Sequence, residues 1–255
     1  ESASGALVIP SSYNGKPVTS IGDSAFYNCS SLTSLTIPGS VTNIGKEALW
    51  ACSSLTSLTI PDSVTSIGDG AFAGSLGLTS IELGDENTHY SSMDGVIFNK
   101  AKTMLITFPA GKSGHYTIPD SVTSFGVSAF SGSSGLTSVT IPDSVTSIGD
   151  SAFWNCRGLT SVGIPDSVTT IGDNAFSHCR NLTSIVIPSS VTAIDIYAFY
   201  YSGLKSVTFE APASITSIGI GVFNGTSLTE VAIPDSVTSI GESAFTYCSA
   251  MESVT

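Results

Sequence analysis

Charged residues are scarce in this chain of 255 residues, and positively charged residues are the scarcest. Only 11% of the residues are charged, with 8 Lys and Arg against 20 Asp and Glu, which gives a net charge of −12. An acidic surface without a Lys/Arg cluster repels phosphate backbones, so we expect no nucleic-acid partner. No apolar run approaches the roughly 20 residues that a membrane-spanning helix needs, so we expect no membrane insertion of this segment.

Histidine is also rare, and its placement does not support a catalytic or metal site. The three histidines, His89, His115 and His178, lie far apart in the sequence. Nucleophilic catalysis needs a Ser or Cys beside a base that a third group holds in place. The cysteines form neither a Cys-x-x-Cys motif nor a Cys/His metal spacing. We therefore expect no enzyme, no cofactor and no metal centre.

What the sequence has in abundance is one repeated segment. Six of its Ile-Pro pairs recur at a spacing of 23 residues, apart from one longer gap between the second and third of the six. These six pairs begin at Ile37, Ile60, Ile118, Ile141, Ile164 and Ile187. A fixed period of about 20–29 residues with Leu and Ile at set offsets is typical of a leucine-rich-repeat solenoid. Stacked repeats of this kind build a long surface rather than a catalytic pocket.

Each repeat begins with the same predicted strand. Leu32-x-x-Leu35-x-Ile37 places apolar residues on one side of an extended segment, and Pro38 ends it because proline cannot donate to a continuing ladder. We therefore predict a β-rich solenoid of the α/β leucine-rich repeat class. Its repeats of about 23 residues form a curved right-handed stack with a parallel concave sheet.

The second half of each repeat predicts a turn. Val41-x-x-Ile44 indicates a short extended or 3₁₀ segment, and Gly45 after it is expected to adopt a left-handed conformation. Asp195 replaces this glycine in one repeat, and Asp tolerates that conformation better than most residues. The Ala-Phe pair that follows is expected to lie on a brief helical turn with its Phe in the core.

The repeats predict a single domain over 1-255, with an irregular longer repeat at 83-117. Two apolar runs in that repeat flank Asn99-Lys100-Ala101-Lys102 and predict an inserted β-hairpin. A shorter irregularity lies around Gly203 to Pro212, and another around Ser11 to Pro17. Because the last residues begin a strand motif and stop before its Ile-Pro pair, we expect the chain to be a fragment of a longer array.

The five cysteines occupy one repeated position. They are Cys29, Cys52, Cys156, Cys179 and Cys248. We interpret them as reduced, buried thiols that serve as small apolar side chains. Disulfides between adjacent repeats are the alternative, since parallel strands lie about 4.8 Å apart, although side chains in register suit the disulfide torsion poorly.

The repeat resembles that of a known family. The segment from Cys156 to Phe176 reads Cys-x-x-Leu-x-x-Val-x-Ile-Pro-x-x-Val-x-x-Ile-Gly-x-x-Ala-Phe, which is similar to the BspA-like, or treponemal-type, leucine-rich repeat. The segments 14–22, 94–100 and 108–112 also resemble recurrent segments of that family. The resemblance implies a secreted or cell-surface location and adhesion to matrix proteins or other cells. It brings no residue-level binding motif.

One edge of the repeat is the candidate binding surface. The residue directly after the Ala-Phe pair varies while the rest is nearly fixed, which suggests that packing does not dictate it. Tyr, Trp and Arg, the types enriched in binding hot spots, gather there and nearby. The candidate residues are Tyr27, Trp50, Trp154, Arg157, His178, Arg180, Tyr200, Tyr201 and Tyr247. The alternative is that some of these rings pack over neighbouring repeats.

We accordingly predict a non-enzymatic extracellular or cell-surface interaction or adhesion module that binds a protein or glycan. The alternative is a structural or ice-/water-ordering surface protein, because Ser and Thr recur at the outward strand positions. Those rows are interrupted by Glu82, Gly163, Val186 and Ala232, which counts against a regular array. A surface-anchored hydrolase with its catalytic domain outside this segment is a third hypothesis.

Two further features of the sequence leave alternatives open. Asp residues recur after the Pro and after the Gly, where they are expected to close turns by bonding nearby amides. Weak Ca²⁺ binding along this acidic edge is an alternative that we do not favour. Asn28, Asn181 and Asn224 fit the N-glycosylation pattern, which matters only in a host that attaches such glycans.

Overall fold

The computed structural model describes residues 3–255, and every regular element among them is a β-strand. The chain forms two compact units. One comprises Glu1–Lys112 with Gly126–Ser133, and the other comprises Ser113–Phe125 with Ser134–Thr255. The single domain over 1-255 stays a prediction.

Short parallel strands on two faces build the first unit. Its strands are β1 (Gly5–Val8), β2 (Ser12–Tyr13), β3 (Lys16–Pro17), β4 (Ser20–Ile21), β5 (Leu32–Thr36), β6 (Asn43–Ile44), β7 (Ser57–Ile60), β8 (Ser66–Ile67), β9 (Ser80–Leu83), β10 (Tyr90–Met93), β11 (Val96–Asn99) and β12 (Met104–Thr107). On one face β1 pairs with β5 and β7 with β9, and on the other the order is β4-β6-β8. β2–β3 is a hairpin, and β10, β11 and β12 form an antiparallel meander.

The second unit repeats this arrangement. Its strands are β13 (Gly114–Thr117), β14 (Ser124–Phe125), β15 (Leu136–Thr140), β16 (Ser147–Ile148), β17 (Ser161–Gly163), β18 (Thr170–Ile171), β19 (Ser184–Ile187), β20 (Ala193–Ile194), β21 (Ser206–Phe209), β22 (Ser217–Ile218), β23 (Glu230–Val231), β24 (Ser239–Ile240) and β25 (Ser253–Val254). The long-strand face consists of the sheets β13-β15-β17, β19-β21 and β23-β25, and the short-strand face has the order β16-β18-β20-β22-β24.

Equivalent residues of successive repeats lie side by side, so the core is a set of stacked ladders. Val139 aligns with Val162 in the β15–β17 pair, and Ile185 aligns with Val207 in the β19–β21 pair. The Phe rings of the Ala-Phe pairs stack in the same way. Phe153 and Phe176 have ring centroids 5.2 Å apart and nearly parallel planes. The predicted fold class, a parallel β-solenoid with repeats of about 23 residues, is confirmed.

The strand and hairpin predictions are also confirmed in detail. β5 ends at Thr36, before Pro38, and the second segment of that repeat is the short strand β6 rather than a 3₁₀ turn. β11 and β12 pair antiparallel around Lys100, as the two apolar runs predict. The sequence did not reveal β10 as a third strand, because Tyr90–Met93 is only half-buried and carries two serines.

The helical turn expected at the Ala-Phe pair is wrong. These residues form non-helical turns in which the Phe amide bonds the next repeat. The Phe153 N–H donates to the carbonyl of Ala175 at 2.8 Å, and the Phe176 N–H donates to that of Ala198 at 2.7 Å. A helix would require the same donors to bond within their own segment. Inter-repeat bonding therefore replaces the helix.

The conformation predicted for the repeated glycine is wrong as well. Gly45 and Gly172 do not have positive φ; the left-handed residues lie two and six positions later, for example at Asn174 and His178. Close approach of the preceding repeat favours glycine at most of these positions instead. A Cβ on Gly45 would lie 2.5 Å from the Asp23 amide nitrogen, and one on Gly172 would lie 2.6 Å from Asp150 Oδ1. The tolerance argument for Asp195 fails for the same reason, since its φ is not positive.

The acidic residues after the glycine connect repeats rather than close their own turns. Asp150 Oδ1 accepts a hydrogen bond from the Asp173 amide at 3.0 Å, and Asp173 Oδ1 accepts one from the Ile196 amide at 2.9 Å. In the first unit, Asp23 Oδ1 accepts one from the Lys46 amide at 2.8 Å. The local bonding predicted for these positions is therefore corrected to bonding between neighbouring repeats.

All five cysteines are buried and free, which agrees with their interpretation as reduced thiols. Burial raises the pKa of Cys52 to about 11 and that of Cys179 to about 12. Their thiols donate weak hydrogen bonds to carbonyl oxygens one repeat earlier. Cys179 Sγ lies 3.1 Å from the Phe153 oxygen, and Cys52 Sγ lies 3.1 Å from the Phe26 oxygen.

Candidate binding surface

The candidate surface consists of the turns that carry the Ala-Phe pairs, which we call the turn edge. Its backbone is held by hydrogen bonds between repeats. The His178 N–H donates to the Tyr200 carbonyl at 2.8 Å, and the Tyr201 N–H donates to the Asn224 carbonyl at 2.8 Å. These bonds fix the spacing of the side chains along the edge.

Each turn contains two left-handed residues, one directly before the Ala-Phe pair and one two residues after it. Glycine or asparagine occupies several of these positions, as at Asn155 and Gly225, which suits the conformation. Tyr197, His178, Tyr201 and Tyr247 occupy others, with φ between 50° and 60°. Bulky residues in this conformation cost about 1–2 kcal/mol each and cluster at functional sites.

An aromatic cluster forms at the turn edge of the second unit. We define it as Trp154, His178, Tyr197, Tyr200 and Tyr201. The His178 ring stacks on Tyr201 with centroids 5.9 Å apart, and its edge meets Trp154 at 6.1 Å and Tyr200 at 5.5 Å. Tyr200 meets Tyr201 at 4.6 Å and Tyr197 at 5.0 Å in tilted geometry. Such edge-to-face and offset pairs stabilise each other's orientation.

Glycines in the next repeat make room for two of these rings. A Cβ on Gly225 would lie 2.9 Å from Tyr201 Cδ2, and one on Gly221 would collide with Tyr197 Cε1. The two rings therefore lie directly over glycine backbone. Tyr197 and Tyr201 keep more than a third of their surface exposed, while Trp154, His178 and Tyr200 are half-buried.

Positive charge lies beside the aromatic cluster in this acidic chain. The exposed Arg157 and Arg180 belong to the same turns. Burial lowers the pKa of His178, and the nearby Arg180 and Arg157 guanidinium groups lower it further. The imidazole is therefore held neutral at neutral pH, beside two permanent cations.

A smaller pair of rings lies at the turn edge of the first unit. Tyr27 and Trp50 stack with centroids 6.4 Å apart and planes 9° from parallel. The Trp50 ring lies over the next repeat, 3.3 Å from the position of a Cβ on Gly70. Tyr27 is half exposed, and Tyr247 in the second unit is exposed over 73% of its surface.

Most of the smaller side chains directly after the Ala-Phe pairs are packed inward, although Thr246 is exposed. Ser177 and Asn224 are buried in the second unit, and Ala73 and Ser131 are buried in the first. Packing therefore determines the residue at some of these variable positions, in agreement with the alternative interpretation of the sequence. Sequence reasoning missed Tyr197, because it followed only the residues after the pair. Its left-handed position before the pair is the signal that finds it.

His115 in the second unit contacts hydroxyl groups. His115 Nδ1 lies 2.8 Å from Ser138 Oγ, but its Nε2 faces the hydroxyls of Thr117 and Thr140 rather than a carboxylate. Over residues 3–255 no group of three or more His, Cys, Asp or Glu side chains is arranged to hold a metal ion. Within the same residues, no helix has the length and apolar character needed to cross a bilayer.

A family model describes nearly the whole chain. The model for the BspA type leucine rich repeat region, in 6 copies, matches residues 9–113, 112–218 and 193–255. No curated protein sequence matches the chain.

Several solved structures share the fold. A leucine rich cell surface protein from Faecalibacterium prausnitzii A2-165 is 32% identical over 98% of this chain and 59% of its own, with a TM-score of 0.74. A leucine-rich repeat protein from Bacteroides ovatus ATCC 8483 is 33% identical over 98% of this chain and 56% of its own, with a TM-score of 0.58. The pneumococcal vaccine antigen PcpA, 24% identical with a TM-score of 0.66, shares the fold. The chain spans about three fifths of the length of these structures.

Proposed function

Because the chain belongs to the BspA-type leucine-rich repeat family, we propose that it is a non-enzymatic interaction or adhesion module of an extracellular or cell-surface protein. The partner is a protein or glycan, and the turn edge binds it. A similar protein from F. prausnitzii is described as a cell surface protein, which supports this location.

The observation that carries the proposal is the aromatic cluster. Three bulky residues, His178, Tyr197 and Tyr201, adopt a left-handed backbone that glycine would adopt without strain. Tyr and Trp rings with Arg beside them are the residue types that dominate binding energy at interfaces. Rings of this kind present a rigid apolar face to a peptide or to a sugar ring at little cost in side-chain entropy.

The proposal is tested by binding of the purified chain to a panel of extracellular-matrix proteins and to a glycan array. For any partner found, we expect Trp154→Ala combined with Tyr200→Ala to weaken binding by at least tenfold, since hot-spot residues cost about 2 kcal/mol or more. Tyr13→Ala is the control, because Tyr13 is also an exposed tyrosine but lies in the β2–β3 hairpin. Equal binding by the double variant and the control would refute the turn edge as the contact surface.

A further inference from the structure

The hydrogen bonds between two repeats of the second unit are interrupted on the long-strand face. The Ser227 N–H donates to the Leu204 carbonyl at 2.9 Å, and the Thr238 N–H donates to the Thr216 carbonyl at 2.9 Å. Between these two bonds, no hydrogen bond in the described chain joins residues 207–213 to residues 230–236, and β21 and β23 belong to separate sheets. β21 and β23 therefore form no hydrogen bonds with each other.

A cavity of about 580 Å³ lies in this gap. Its volume is within the range of about 300–1,000 Å³ found for ligand sites. Val207, Phe209 and Ala232 contribute apolar lining, while Glu210 and Asp235 contribute carboxylates. Neither carboxylate forms an ion pair with another described residue. The gap thus combines apolar walls with uncompensated negative charge.

Ser236 adds an unpaired polar atom to the same lining. In other repeats the equivalent serine hydroxyl donates to a carbonyl of the preceding repeat, as Ser167 does to Val145 at 2.6 Å and Ser190 does to Val168 at 2.7 Å. The Ser236 hydroxyl is buried and has no hydrogen-bond partner among the described residues. A buried hydroxyl without a partner is costly, so a ligand that bonds it would gain free energy.

Part of the surface near the gap is apolar where other repeats carry hydroxyl groups, although Thr208 lines the gap itself. At the strand position of Thr140, the following repeats have Gly163 and Val186, and Val186 is 48% exposed. Glu210 also borders a second cavity of about 360 Å³, which Val162 and Val186 line. Glu210 therefore borders two cavities, each of which has apolar residues in its lining.

We propose that this gap binds a short extended peptide in which apolar residues alternate with Lys or Arg. An extended peptide can form main-chain hydrogen bonds with residues 209–213 or 232–236, which have no hydrogen bonds to each other across the gap. Its apolar side chains occupy the cavity, and its cations meet Glu210 and Asp235. The site is separate from the turn edge and does not depend on it.

The probe is the acetylated and amidated peptide Val-Lys-Val-Lys, titrated into the isotope-labelled chain. We expect saturable binding in calorimetry, with NMR shift changes concentrated in residues 207–213 and 232–236. The acidic counterpart Val-Glu-Val-Glu should bind at least tenfold more weakly. Equal binding of the acidic peptide, or shift changes elsewhere on the chain, would overturn the assignment. Hexylammonium binding as tightly as the peptide would also overturn it, in favour of a small organic cation.

Two matched pairs of variants locate the site. Ala232→Phe should fill the gap and weaken binding by more than tenfold, while Thr140→Phe, at the same strand position outside the gap, should not. Asp235→Asn should weaken binding about two- to fivefold, the effect of losing one exposed ion pair. Asp143→Asn, at the equivalent position after Pro142, is its control. Should Ala232→Phe fail to fold, Glu210→Gln with Asp235→Asn replaces it. Unchanged affinity in the folded gap variants would refute the proposal.

Discussion

At the scale of single residues, the left-handed backbone positions show where a side chain is strained without being needed for packing. Tyr247 has a φ of 59° and is 73% exposed, so the fold gains little from its ring. The equivalent position in the preceding repeat is Gly225. Tyrosine at position 247 is therefore tolerated by the fold rather than required by it.

This predicts that Tyr247→Gly stabilises the chain. Relief of the left-handed strain is worth about 1–2 kcal/mol, and the greater flexibility of unfolded glycine offsets about 0.5–1 kcal/mol of it. We expect a net gain of about 0.5–1 kcal/mol in the free energy of unfolding, measured by urea denaturation. The neighbouring Thr246 does not have positive φ, so Thr246→Gly should destabilise the chain. Destabilisation by both substitutions would contradict the strain argument.

His178 makes stability depend on pH in a defined direction. Its pKa in the folded chain is lowered by burial and then by Arg180 and Arg157. The unfolded chain therefore binds a proton more readily, starting near the ordinary histidine pKa of about 6.5. The contribution of His178 is fully present above that pH and is lost as the pH falls towards the folded pKa.

Thermal melts of His178→Asn test this dependence. Asparagine suits the left-handed position, as Asn155 shows in the preceding repeat. Between about pH 7.5 and pH 5.5, which brackets the ordinary histidine pKa, the variant should lose less stability than the original chain. Asp195 acts in the opposite direction, because burial and the carboxylates of Asp173 and Asp150 raise its pKa. Asp195 is present both in the unsubstituted chain and in His178→Asn, so its effect cancels in the comparison. Identical pH profiles of the two chains would contradict the role of His178.

At the scale of elements, the glycine after each short strand shows that the residues of a repeat are also determined by contacts with the neighbouring repeat. In most repeats glycine stands there because the preceding repeat lies too close for a Cβ, not because of the local dihedral angles; at Gly149 the nearest atom would be 3.7 Å away. Period and apolar spacing were enough to predict strands, strand ends and core residues. They could not reveal contacts that exist only once repeats are stacked.

Gly172→Ala tests the close approach between repeats. The added Cβ would lie 2.6 Å from Asp150 Oδ1 and 3.0 Å from its amide nitrogen, so we expect a loss of about 1–3 kcal/mol in the free energy of unfolding. Gly163→Ala is the control, because nothing lies within 4 Å of the position of its Cβ. We expect that change to stay within about 0.5 kcal/mol of neutral. Equal effects at both positions in chemical denaturation would refute steric exclusion.

At the scale of the whole molecule, both proposed binding sites lie where the repeat pattern is broken. Sequence variation after the Ala-Phe pairs identified most of the aromatic cluster, because aromatic residues stand out against a nearly constant repeat. The gap between β21 and β23 could not be predicted in this way. The insertion before Pro212 marks the place, but the sequence does not show that hydrogen bonds to the next repeat are lost.

The hydroxyl rows of the long-strand face support the water-ordering alternative less well. Glu82 interrupts them in the first unit, and Gly163, Val186 and Ala232 interrupt them in the second. That alternative stays a prediction, which a thermal-hysteresis assay tests. A positive assay would move the functional surface from the turn edge to the strands.

The central claim is that partners bind at the turn edge, and tryptophan fluorescence tests it most directly. The chain has 2 Trp residues, and both Trp50 and Trp154 lie on that edge. With Trp50→Phe, the emission reports on Trp154 and the aromatic cluster alone. Titration with a partner found in the binding screen should change this emission saturably, with the same Kd as surface binding. Full binding with unchanged Trp154 emission, and with undiminished affinity in Trp154→Ala, would contradict the account.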